Sequence, residues 1–122
     1  MVVHCANNSF FDFAKFSIYD HLEYAFVVLI QEFVSRGLAY ESVRSLFITR
    51  YDEKKANAIA VIISSWYFAA LHVAYGPTYM IGAFVLLSIF GLIYNKQRTI
   101  FGLCIPHFVL GQMIAILGFV VA

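Results

Sequence analysis

The chain has 122 residues, 62% of them hydrophobic and only 12% charged, with 13 Phe, 8 Tyr and a formal net charge of +1. Soluble domains carry about 45–50% apolar and about 25% charged residues, and a chain this small buries only about two-thirds of its surface. The composition therefore argues against a soluble globular domain, and the near-neutral charge argues against a nucleic-acid binder with a clustered basic face. The length suits one domain, with lipid as the natural solvent for the apolar excess. Cys5 and Cys104 are far apart and read as free thiols, not as a disulfide framework or a zinc knuckle. The opening MVVHCANNSFFDFAKF lacks a basic start and an A-x-A cleavage site, so insertion is expected to rely on the chain's own apolar segments.

Residues 1–20 are aromatic but interrupted by Asn7, Asn8, Asp12, Lys15 and Asp20, and read as an interfacial lead-in with a short amphipathic helix over 10–19. The core is expected over 21–122. A first membrane helix is predicted over 21–38, continuing into a charged surface helix or connection with Val43, Leu46, Phe47 and Ile48. A second is predicted over 56–75, long enough to cross about 30 Å of hydrocarbon, and closed by Gly76-Pro77. Its small residues Ala56, Ala60, Ser64, Ser65 and Ala69 allow close helix packing and mark it as central. A third helix is predicted over 78–94, then the polar turn Asn95-Lys96-Gln97-Arg98. The fourth runs from 99 to the C-terminus, with Pro106 expected to kink it just before His107. The fold class is thus all-α, a polytopic membrane protein of about four transmembrane helices.

Charge tests this topology. Arg44, Arg50, Lys54 and Lys55 follow the first span, and Lys96 and Arg98 follow the third, whereas Tyr75-Gly76-Pro77-Thr78 is uncharged. Alternating spans put both basic connections on one side, the cytoplasmic side by the positive-inside rule. The bacterial cytoplasmic membrane is the expected location.

Inside these apolar segments lie Glu32, Arg36, His72 and His107. An ionisable group in hydrocarbon costs several kcal/mol and usually faces a polar cavity or a partner. Glu32 and Arg36, four residues apart, share a helix face and can pair, either as an orienting ion pair or as one wall of a site. Gln31 points about 100° away and could reach the same cavity from its edge. Cys104, three residues before His107, could share its face. A carboxylate and two histidines provide parts for hydrolysis: a general base to activate water, and a second histidine to stabilise an oxyanion or complete a metal site. Spacing does not choose between a zinc set of Glu32, His72 and His107 and a metal-free one. Straight-helix geometry sets His72 about 24 Å from residue 56 and His107 about 12 Å from residue 99. The two histidines then share a depth only if the second helix starts outside the bilayer or the turn over 95–99 dips inward.

The series Q-E-F-V-S-R-G at 31–37, F-A-A-L-H at 68–72 and H-F-V-L-G at 107–111 resembles the three ordered motifs of the CPBP (Abi) family, which includes the CAAX prenyl proteases. The segment G-L-I-Y-N-K-Q-R-T-I-F-G at 91–102 is similar to that family's linker, and the likeness spans about 24–118. It implies a CPBP-type helical membrane core and, in active members, peptide hydrolysis by a glutamate-activated water. By position Glu32 and Arg36 match the first motif, Phe68 and His72 the second, and His107 the third. Gln31 stands where the family has its first Glu, and an amide cannot serve as that base. Gly111 stands where the family has Asn, which removes a polar partner near His107. The implied partners are membrane lipid, a peptide or prenylated-protein substrate, and other membrane subunits. The alternatives are an inactive CPBP-fold scaffold or partner-binding subunit (a pseudoenzyme), and a transporter or channel fragment, which the lack of paired unwound Gly-rich segments disfavours.

Overall fold

A computed structural model of the chain describes residues 18–116, and within them every regular element is helical. The lead-in over 1–17, with its amphipathic stretch and Cys5, and the end of the fourth helix over 117–122 lie outside the described residues. Helix α1 (Ile18–Glu32) passes directly into a π-helical stretch (Phe33–Tyr40) and then α2 (Glu41–Phe47). The predicted first span and the charged connection after it are therefore one helical run, begun before residue 21. Helix α3 (Glu53–Ala70) follows, then a 3₁₀ turn (Val73–Tyr75), α4 (Pro77–Gln97) and α5 (Phe101–Ile116).

The π stretch has a physical rationale in the side chains it turns inward. Val28, Glu32, Arg36 and Tyr40 recur every four residues and are all buried. In an α-helix that spacing drifts by about 40° per step. A π-helix takes more residues per turn, so the drift reverses, and Arg36 and Tyr40 stay on the inner face. A straight α-helix would swing Tyr40 away from the core.

Local chemistry sets the other ends. Asp52, in extended backbone, caps α3 by accepting from the Lys55 amide at 2.9 Å. The chain leaves α3 after Ala70, so His72 sits in the turn beyond the helix rather than within it. Gly76 has φ +99°, a conformation that favours glycine, and Pro77 opens α4 where its missing N–H costs nothing. Pro106 lies inside α5, where it cannot donate to the carbonyl of Gly102.

Helix α3 is central as expected, packed against the π stretch and α2 on one side and α4 on the other, while α5 lies on α1. Its small residues Ala56, Ala60, Ser64, Ser65 and Ala69 are all fully buried, which lets the helix axes approach. The approach is tight at Gly91 of α4, where a Cβ would lie 2.9 Å from a Val61 methyl. Around that contact Tyr40, Ala60, Val61, Phe90, Tyr94 and Leu103 form the core.

The basic connections meet at one end of the bundle. Tyr40 donates its hydroxyl to Asn95 Oδ1, Tyr94 donates to Glu41 Oε1 at 3.2 Å, and Arg98 Nη1 meets the same oxygen at 2.6 Å. Arg44 adds bonds to Asn57 at 2.7 Å and Glu53 at 3.1 Å. The uncharged turn around Gly76-Pro77 lies at the other end of α3 and α4. Among the described residues one helix, Pro77–Gln97, is long and apolar enough to cross a membrane by length and composition; the apolar part of α5, Phe101–Ile114, is shorter.

Candidate active site

Glu32 and Arg36, an acid and a base, are both fully buried. Isolated, either would be costly; together each offsets the other's desolvation. Glu32 sits at the last turn of α1, and the π stretch brings Arg36 Nε to 3.5 Å from Glu32 Oε2. Arg36 Nη2 also donates to the Leu87 carbonyl of α4 at 2.8 Å, which ties the ion pair to a third segment. The other carboxylate oxygen, Oε1, lies 2.6 Å from His107 Nδ1 on α5. A carboxylate at that distance accepts an N–H from the imidazole. Neutral His107 is thereby held with Nε2 as its unprotonated nitrogen.

His72 reaches a parallel state by a local route. Its Nδ1 lies 2.8 Å from the Phe68 carbonyl, one helical turn earlier. A carbonyl only accepts, so Nδ1 carries the proton and Nε2 bears the lone pair. Phe68 itself is buried, with its backbone oxygen as the tether and its ring as packing.

Both histidines line one cavity of about 840 Å³. Its walls are aliphatic and aromatic, from α4 (Tyr79, Val85, Leu86, Leu87 and Ile89) and from the turn at Tyr75. Tyr24 of α1 and Gly111 of α5 complete the wall beside His107. Two imidazole lone pairs and a buried carboxylate are thus set at the edge of an otherwise apolar chamber. Such a chamber can hold a water as a proton donor to either Nε2, with an apolar group packed beside it.

The residues singled out from sequence therefore sort into three groups. Glu32, Arg36 and His107 form one chain of contacts, and His72, tethered to Phe68, lines the same cavity as His107. Gln31 is only half-buried and lies outside the cavity lining, as does Cys104. Gly111 lines the cavity, but the space beside it is filled by Tyr24, whose hydroxyl would lie 1.6 Å from a Cβ at that position. Among the described residues no three His, Cys, Asp or Glu side chains gather as a metal-ligand group, so Glu32, His72 and His107 do not fit a zinc set in this arrangement. Both histidines line the same cavity, His72 from beyond the end of α3 and His107 from within α5. Tyr24 and the Leu87 carbonyl were not foreseen. The one sequence signal for Tyr24 is its place four residues before Val28, in the stripe that leads to Glu32.

A buried carboxylate–histidine pair at the wall of an apolar cavity defines a helical protein with a polar site in an apolar surround. The sequence profile of the type II CAAX prenyl endopeptidase Rce1-like family matches residues 21–113, and the chain belongs to that family. This agrees with the CPBP likeness of the three motifs. The family is one of membrane-integral proteins, which fits the composition. Comparison with curated proteins and with solved structures gives no match.

Proposed function

We propose that the chain is an intramembrane endopeptidase that hydrolyses a peptide bond in a prenylated or membrane-bound peptide, with His107 as general base. The observation that carries this reading is the 2.6 Å bond from His107 to buried Glu32 beside a cavity that His72 also lines. His107 Nε2 takes a proton from a water while the water oxygen bonds to the scissile carbonyl carbon and the C=O π pair moves onto oxygen. Glu32 holds the ring tautomer and balances the imidazolium that forms, the logic of a carboxylate–histidine pair. Collapse of the adduct breaks the C–N bond, and the proton on His107 passes to the leaving amine. His72 Nε2 offers a second acceptor that orients the water. Gln31 has no part in this scheme, so the missing first Glu does not abolish it.

Lipid then covers the large apolar side chains that the helices leave exposed, among them Phe26, Phe33, Ile62, Trp66, Ile81 and Ile105. Four segments share the membrane on this reading, with the basic end in the cytoplasm of a bacterial cell.

The test is cleavage of a farnesylated peptide by the purified protein in lipid vesicles. Wild type should cleave it, His107→Ala should lose about 10²–10⁴-fold in kcat, and Gln31→Glu should match wild type. Cleavage that appears only with Gln31→Glu would sink the proposal and mark a lapsed enzyme of the same fold.

A further inference from the structure

The scheme above lacks one part: a donor for the oxygen on which negative charge develops. Neutral His72 and His107 spend their N–H groups on the Phe68 carbonyl and Glu32, so both offer the cavity lone pairs only. We propose that Tyr24 supplies that donor, with its hydroxyl seated in the space Gly111 leaves open; this rests on the hydrolytic reading of the site.

The geometry points to Tyr24 in three ways. Its hydroxyl lies against the α5 backbone at Gly111, where a Cβ would be 1.6 Å away. Gly111 is one helical turn beyond His107, so the phenol oxygen stands beside the base on the same face of α5. The ring is steadied by Phe108, at 5.6 Å between centroids, and it lines the cavity. The other phenols of the cavity, Tyr75 and Tyr79, pack on His72 and on each other instead.

A donor pre-aimed at a developing oxyanion contributes most in the transition state, so its loss lowers kcat more than it raises KM. Tyr24→Phe removes one oxygen and leaves the ring packing intact. In the vesicle assay it should lower kcat about 10²–10³-fold with KM little changed, a much larger loss than Tyr79→Phe should give. Tyr24→Ala should be as impaired as Tyr24→Phe, and adding Gly111→Asn to it should recover part of the loss, because an amide N–H then occupies the phenol's place. Full activity in Tyr24→Phe, with His107→Ala inactive, overturns this inference and leaves the Glu32–His107 scheme standing. A loss carried by Tyr79→Phe instead overturns it equally. An inactive wild type overturns both together.

Discussion

The two ends of the bundle are built to opposite rules. At the basic end polar groups meet polar groups: Tyr40 with Asn95, Tyr94 and Arg98 with Glu41, Arg44 with Asn57 and Glu53. These pairs close the seam between α2, α3 and α4, and several lie partly in solvent. At the cavity end several buried polar atoms lack a hydrogen bond within the protein. Glu32 Oε2, Ser35 Oγ, Arg36 Nε and Nη1, and Ser65 Oγ are buried and make no hydrogen bond. An unmade buried bond costs about 1–3 kcal/mol, more for a charged group. Departures of this kind are expected at functional or strained sites. The difference separates a clasp from the candidate site, and each end can be challenged in its own terms.

The largest effect is expected at the buried pair. Arg36→Ala leaves the Glu32 carboxylate in an apolar interior with His107 as its remaining partner. Breaking one side of a buried pair costs about 3–5 kcal/mol. Unfolding of the variant in detergent, followed by loss of helical signal, should report that drop. The double variant Glu32→Leu/Arg36→Met removes the unpaired charge along with its partner and should recover most of the stability. It should recover none of the cleavage, since His107 then lacks its orienting carboxylate. Stability that stays low in the double variant would mean the pair holds the fold by its shape rather than its charge.

How far this was legible in sequence differs between the two ends. Glu32, Arg36, His72 and His107 stood out because charge in an apolar segment is costly, and that argument needs no tertiary information. The bond between Glu32 and His107 was not legible, because it joins residues 75 positions apart. Helix order was readable from hydrophobic runs and from Gly76-Pro77. The π stretch was not, since FVSRGLAY contains no proline and its geometry follows from which side chains the neighbouring helices draw inward. His72 was expected inside a helix because Leu71 to Tyr75 is apolar; the helix ends earlier, and the histidine ring bonds back to Phe68. Tyr24 went unread because its placement depends on the absence of a side chain at Gly111 on another helix. Choosing between zinc and no zinc required side-chain convergence, which spacing does not provide.

A smaller effect is expected at the close contact of α3 and α4. Val61 is branched at Cβ and presents both methyls to Gly91, so it has little freedom to turn aside. Gly91→Ala should cost about 1–3 kcal/mol through overpacking, despite alanine's better helix propensity. Adding Val61→Ala should relieve the clash and restore part of the loss. If Gly91→Ala were neutral or stabilising, the helices would have room to separate and the small-residue stripe on α3 would not set their distance.

The smallest effect is expected at the clasp itself. Glu41 and Arg98 are each about a third exposed, at 35% and 36%. Pairs of this kind contribute roughly 0.2–1 kcal/mol. Glu41→Gln keeps an acceptor for the Tyr94 hydroxyl while removing the charge opposite Arg98, so it isolates the ionic part. The variant should unfold only slightly more readily than wild type at low salt. At 1 M salt, where the Debye length is about 3 Å, the gap should close. The Arg36→Ala gap should persist under the same conditions, because its charges are shielded from ions by protein. A salt-insensitive loss in Glu41→Gln would make the basic end a second buried ionic site and remove the distinction between the two ends.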